Sequence, residues 1–340
     1  GSLLASGRTL ANAGTLAATS FSFGYDNGAV ADSVVTAKLS GASLTKVSPT
    51  RTLSLWNANT FTGTITHREG TLYLNNAGAI GGATTLEFAA GTLFDNRSDA
   101  AITLASNPTI AFSTVISGTQ GLQFGGTQAI NLGTGAVALA GPRTFAVFGS
   151  APLTVGGVVS GTGLFTKANP GTLILSGANT FTTGVFLNAG TLVAKNQSGL
   201  GTGVVKVLGG VLDLYGNSVA NIIQVFAGQV INSGSGTLAA SALEIDSSDA
   251  VLVSANISGS SSLSKSGTGV LTMTGNNTFS GGVNVLAGTV LVGSATALGS
   301  NVNAVAIKAG ATLDLNGYDA TIGSLTNGLV GQGGVVTNSG

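Results

Sequence analysis

The chain has 340 residues, 54 of them glycine and none cysteine, and its twelve Lys and Arg balance twelve Asp and Glu. A neutral chain without a basic cluster lacks the electrostatic footprint of a nucleic-acid binder, and the missing thiols exclude disulfide scaffolds, zinc ribbons, iron–sulfur centres and thiol catalysis. Hydrophobic residues make up 43% of it, yet Gly, Ser, Thr or Asn interrupts every apolar run well short of the ~18 residues of a spanning helix, so the sequence contains no transmembrane segment.

Gly, Thr, Ser, Asn and Val are mediocre to poor helix formers, and the strong ones, Glu, Lys, Gln and Arg, are scarce. Short strands between tight turns remain. Thr172–Ser176, Val270–Thr274 and Thr312–Asn316 alternate apolar and polar residues in the two-residue period of a strand.

In chain order, the first thirty-eight residues read as the tail of a preceding repeat, and Ala13–Leu16 is already repeat-like. Gly1-Ser2 reads as a cloning remnant, with no signal peptide behind it, so the sequence is expected to be a piece of a longer array. A first full unit runs Lys46–Leu72, a second Lys167–Leu192 and a third Lys265–Val290. Each follows a lead-in, Ser40–Leu44, Ser160–Leu164 and Ser258–Leu263, and each contains Asn-Thr-Phe, with Asn59 and Phe61, Asn179 and Phe181, Asn277 and Phe279. A Gly-Thr pair follows nine residues after the Phe, at Gly70, Gly190 and Gly288.

The units are 120 and 98 residues apart, counted between their Asn residues, and the difference of 22 is itself a period. The residues preceding the Thr-Leu-like strand starts fall at 51, 70 and 91, then 171, 190 and 210, then 269, 288 and 310, in steps of 19 to 22. The longer intervals approximate whole numbers of such steps, so the short step is the physical unit, one turn of a solenoid. The expected fold is all-β: a single right-handed parallel β-helix of about 17 coils with roughly 20 residues each, as one continuous domain over 1–340. Its long repeats span approximately 39–158, 159–256 and 257–340. A leucine-rich repeat is excluded by its missing pattern, and an outer-membrane barrel is disfavoured by the short period and by 6% aromatic content without girdles. Charge poverty fits a stack of like on like, because equal charges one strand spacing apart repel.

The run Lys265-Ser-Gly-Thr-Gly-Val-Leu-Thr-Met-Thr-Gly-Asn-Asn-Thr-Phe279-Ser-Gly281, continued by Ala287-Gly288-Thr289, resembles the autotransporter-associated β-strand repeat of bacterial passenger domains. The copy at Lys167 departs at Ala168–Pro170, and the copy at Lys46 departs most, with Arg51 and Trp56. The resemblance covers about a quarter of the chain. It implies an exported, cell-surface protein of the bacterial outer membrane, and it implies nothing about what that protein binds.

Chemistry-bearing residues are few. His67, the one histidine, is expected to be a charged turn decoration rather than a catalytic base. Glu244 and Asp246 share one face of a strand with Ile245 inward, and with Asp249 nearby they are weak candidates for metal binding or an acid/base pair, set against a plainer role as solubilising charges. The calcium nonapeptide pattern is missing; Gly331-Gln332-Gly333-Gly334 has no Asp after it. Asp213 and Asp314 occupy matching positions and read as surface residues. Lys46, Lys167 and Lys265 are expected on the outer face, stems laid over apolar surface; Phe61, Phe181 and Phe279 are expected in the core, and Trp56 is a weak sugar-contact candidate. No catalytic residue and no cofactor are assigned. The expected function is a non-enzymatic structural rod of a surface passenger or stalk. A self-assembling extracellular filament or sheath subunit, stacked end to end, and a carbohydrate-active or carbohydrate-binding β-helix stand as alternatives, with surface or host glycans as possible partners.

Overall fold

A computed structural model describes residues 2–5, 9–11, 14–24, 32–89, 91–113, 120–234, 236–327 and 333–340. Ala13 and Gly331-Gln332 of the sequence reading lie outside these. The described residues form short strands and turns with no helix, and every ladder between strands is parallel apart from two isolated bridges. The fold is a parallel β-solenoid, as the period requires. It separates into two compact units, Gly1–Phe181 and Thr182–Gly340.

In the first unit one face is an eight-stranded sheet running from Ser2–Ala5 through Ser20–Phe23, Ser43–Lys46 and Thr64–His67 to Val159–Gly161. A second face also takes eight strands of this unit, from Thr9–Leu10 through Thr52–Leu55 to Phe165–Ala168. Alternation decides which side chains fill the inside. In Thr52–Leu55, for example, Leu53 and Leu55 are buried while Thr52 and Ser54 stay partly exposed. Stacked in register, Phe21, Leu44, Ile65, Leu86, Ile110, Val137 and Val159 form one continuous interior column. Removing a fully buried Leu from such a column costs about 2–5 kcal/mol.

The second unit repeats the design with two eight-stranded faces, from Gly184–Leu187 to Ser324–Asn327 and from Thr191–Ala194 to Val335–Thr337. Leu192 and Leu212 are register partners there, as equivalent positions of successive coils should be. Eight strands of the repeating face in each unit give slightly fewer turns than the seventeen inferred from the period.

One sequence inference is corrected in the first unit. The steps along the interior column are 21, 21, 24, 27 and 22 residues, so five turns from Leu44 to Val159 consume 115 residues. Wide coils thus use up extra chain, and the motif does not recur after a whole number of turns. Lys46 ends a strand of the first face, whereas Lys167 lies in a strand of the second. The repeat has advanced by five turns and one face.

Candidate functional site

The recurrent residues come together at the corners of the coil. Each lysine sits two residues after an inward apolar residue (Leu44, Phe165, Leu263), and strand alternation therefore turns Lys46, Lys167 and Lys265 inward, where each is at most 1% exposed. The expectation that they line the outer face is wrong for this reason. A buried ammonium needs hydrogen-bond acceptors on its three N–H groups. It finds them in carbonyls at the ends of strands and in the corners just beyond them. Lys46 Nζ donates to Ser48 O (2.6 Å) and to Glu69 O one coil on (3.1 Å). Lys167 Nζ donates to Ala168 O and Asn169 O, and Lys265 Nζ to Ser266 O and Gly267 O (2.6 Å each) and to Ala287 O of the following coil (3.3 Å). Burial pushes the Lys167 ammonium down to about 8 and also lowers Lys265, where the nearby Asp246 charge acts in the opposite direction.

The glycine of each Gly-Thr pair completes the corner. Gly70, Gly190 and Gly288 all have φ near +70°, in the left-handed region. A Cβ on Gly288 would also stand 2.8 Å from Lys265 Nζ, and one on Gly70 would stand 3.0 Å from Lys46 Nζ. The atoms nearest to either Cβ are backbone carbonyls, those of Gly269 and Gly267 around Gly288 and those of Ser48 and Arg51 around Gly70, so the positive φ and these carbonyls both demand glycine.

Asn59, Asn179 and Asn277 are buried and act as rungs between coils. Their Oδ1 atoms accept from the N–H of Leu39, Val159 and Ile257, each at 2.8 Å and twenty residues earlier. Nδ2 of Asn59 and of Asn277 donates to Ala79 O and Ala297 O, each at 2.7 Å and twenty residues later. One side chain therefore ties three successive coils where ladder bonds are interrupted. Phe61, Phe181 and Phe279 are fully buried, with Phe61 edge-on to Phe21 and Phe181 stacked on Phe165 at 5.5 Å.

His67 also contradicts its expectation. It ends the strand Thr64–His67 pointing inward, 1% exposed, in register with Lys46 on one side and Phe88 on the other. Its Nε2–H donates to Gly70 O at 3.1 Å, and Nδ1 is buried without a partner. Burial first, and the Lys46 charge second, push its pKa down to about 3, so it is neutral. Asp213 is likewise buried rather than on the surface, because its carboxylate accepts from Tyr215 N in its own turn and from Ser233 N one coil later. Asp314 accepts from Asn316 N and, one coil on, from Ser339 N and Oγ. Trp56, directly after the strand Thr52–Leu55, is 52% exposed.

The acidic stretch lies apart from these corners. Glu244 and Asp246 share the outward face of the strand Ala242–Asp246 around a buried Ile245, and Gln224 Nε2 donates to Glu244 Oε2 at 2.8 Å. With Phe226, Ser264 and Ser266 they line a groove of about 200 Å³. Asp249 is exposed in the following turn, and among the described residues no three His, Cys, Asp or Glu stand close enough to hold a metal ion.

Two segments, residues 165–194 and 263–292, match the family model described as Passenger-associated-transport-repeat. Each runs through the buried lysine, the Asn rung, the Phe and the glycine of one unit. The chain is also 31% identical over 210 residues to the Adhesin BmaC autotransporter of Brucella suis biovar 1 (strain 1330), an alignment covering 58% of this chain and 6% of that protein. The chain thus spans a small fraction of that relative's length. No solved structure matches it. The chain carries repeats of the autotransporter passenger type.

Proposed function

Because the chain carries passenger-associated repeats, we propose that it is a stretch of the exported, cell-surface passenger of a bacterial autotransporter-type protein, with a structural rather than a catalytic task. The observation that carries this reading is the coincidence of the two matched segments with the Lys, Asn and Gly corners. Each corner ties a coil to a neighbour through buried side chains, so a chain emerging from a membrane pore can add one coil to those already folded outside. The adhesive role in the relative's name extends to this chain as part of the proposal: the repeats space out and present binding surfaces. The test is display. Placed between a secretion signal and an outer-membrane translocator barrel, the chain should reach the cell surface and be cut by external protease, and Asn179→Ala with Asn277→Ala should lower the displayed fraction. Retention inside the cell, or display unaffected when both rungs are removed, would refute the reading.

A further inference from the structure

Two corners of the second unit are built from the same residues. Asp213-Leu214-Tyr215-Gly216 is met one coil later by Asn232-Ser233-Gly234, and Asp314-Leu315-Asn316-Gly317 by Asn338-Ser339-Gly340. Tyr215 and Asn316 have φ of +49° and +48°, and the glycines that follow them +81° and +78°. Gly216 N–H donates to Asn232 Oδ1, and Gly317 N–H to Asn338 Oδ1 at 2.6 Å. In each corner the Asp Oδ1 accepts from the residue two positions on and from the serine N–H of the next coil. The closing glycine lies against the turn: a Cβ on Gly234 would stand 2.7 Å from Gly216 N, and one on Gly340 would stand 2.5 Å from both Gly317 N and Asn316 C. One difference separates the two corners. The first places tyrosine before its glycine and the second asparagine, so this backbone does not require an asparagine there. Asn316-Gly317 is the Asn-Gly pair that lies wholly within the described residues; the glycines after Asn27 and Asn327 lie outside them.

An Asn-Gly pair is chemically reactive because glycine has no Cβ to hinder its nitrogen from approaching the preceding side chain. From this arrangement we propose that Asn316 is a latent deamidation site, closed by the Asn338–Gly340 segment of the next coil and reactive only when that segment lifts. Gly317 N, having given its proton to solvent, bonds to Asn316 Cγ; the Cγ–Nδ2 bond breaks, and the amide nitrogen takes up a proton and leaves as ammonia. Water then opens the succinimide ring, at Cγ to give an aspartyl residue or at the Asn316 carbonyl carbon to give an isoaspartyl one. In the closed corner both reacting groups are engaged. Asn338 Oδ1 holds the Gly317 N–H, Asn316 Nδ2 donates to Val292 O at 3.2 Å, and Gly340 covers the peptide between them. Docking the segment again does not reverse the change. An oxygen in place of Nδ2 would face the Val292 carbonyl, its charge would share a turn with the Asp314 carboxylate, and the isoaspartyl form lengthens the backbone by one carbon. The corner thus records its own opening.

Peptide mapping by mass spectrometry tests the proposal on the full chain, incubated at mildly alkaline pH both native and in urea. Reaction at Asn316 should be slower in the native chain by about tenfold or more, because only the opened fraction reacts. Asn338→Ala should raise the native rate by about threefold or more and leave the rate in urea unchanged. Asn232→Ala, the same change at the tyrosine corner, should leave the native rate at Asn316 unaltered. Exchange of the Leu315 and Val335 N–H groups, which bond Thr337 O and Ala311 O, shows whether the strand Val335–Thr337 stays paired in the variant. A faster reaction with the strand paired assigns the gate to the Gly317 N–H bond, and one with the strand loosened assigns it to the segment as a whole; both support the proposal. Equal rates in native and unfolded wild type would overturn it, as would a native rate unmoved by Asn338→Ala. An equal rise with Asn232→Ala would trace the reaction to unfolding of the whole unit and overturn it too.

Discussion

Acid should destabilise the first unit through one residue. His67 titrates at about 3 in the folded chain against 6.5 in the unfolded one, so between those values the unfolded state binds the extra proton. The stability that depends on a neutral His67 is complete above pH 6.5, falls as the pH drops below it, and levels off below pH 3. One pKa unit corresponds to about 1.4 kcal/mol, so the loss is roughly 2.5 kcal/mol at pH 4.5 and on the order of 4–5 kcal/mol in full. His67→Leu removes the titration and keeps the position apolar, as it is at Val285, the register partner of Lys265 in the second unit. The variant loses the hydrogen bond to Gly70 O, about 1 kcal/mol at pH 7. The two proteins should therefore cross: wild type slightly more stable at pH 7, the variant more stable by about 1–2 kcal/mol at pH 4.5. Native-state hydrogen exchange in the strands Ser43–Lys46 and Thr64–His67, read at both pH values, resolves this unit from the second. Parallel pH dependence in wild type and variant between pH 7 and 4 would refute the reasoning.

Asn277→Ala should cost about 2–4 kcal/mol in urea unfolding, because it orphans both Ile257 N–H and Ala297 C=O in the interior; a cost below 0.5 kcal/mol would exclude the rung. Gly288→Ala should destabilise by about 1–2 kcal/mol through its positive φ alone and by more through the Gly267 and Gly269 carbonyls its Cβ would meet; a cost below about 0.5 kcal/mol in urea unfolding would show that the corner does not require glycine. Ser339 and Asn316 hold the Asp314 carboxyl below its ordinary range, so its contribution is present above the unfolded carboxylate value and lost as the pH falls through the lower folded one. Exchange of the Ser339 amide should accelerate over that acid range and do so at all pH values in Asp314→Ala.

Much of the fold was legible because a solenoid writes its period into the chain. The strand Thr172–Leu175 alternates in plain sight, and Leu192 and Leu212 share a register that the twenty-residue step announces. The change of face between Lys46 and Lys167 was hidden, because wide coils of 24 and 27 residues mix with narrow ones and only their sum shows in the spacing. The buried lysines were misread by residue type. Their phase, two residues after Leu44, Phe165 and Leu263, marked them as inward, but an inward Lys becomes acceptable only once corner carbonyls are known to surround it. His67 was misjudged for the same reason, and Asp213 because its second donor lies one coil away. The groove was half legible: Glu244 and Asp246 declared a shared face, while Phe226 and the two serines arrive from neighbouring coils.

Amine modification read by mass spectrometry tests most directly whether the recurrent unit is an internal staple. Under native conditions Lys195 and Lys308, which are exposed, should react quickly with an acylating reagent, while Lys46, Lys167 and Lys265 should stay protected until the chain unfolds. Reaction of all five at similar rates in the folded protein would place the motif lysines on the surface and contradict the account.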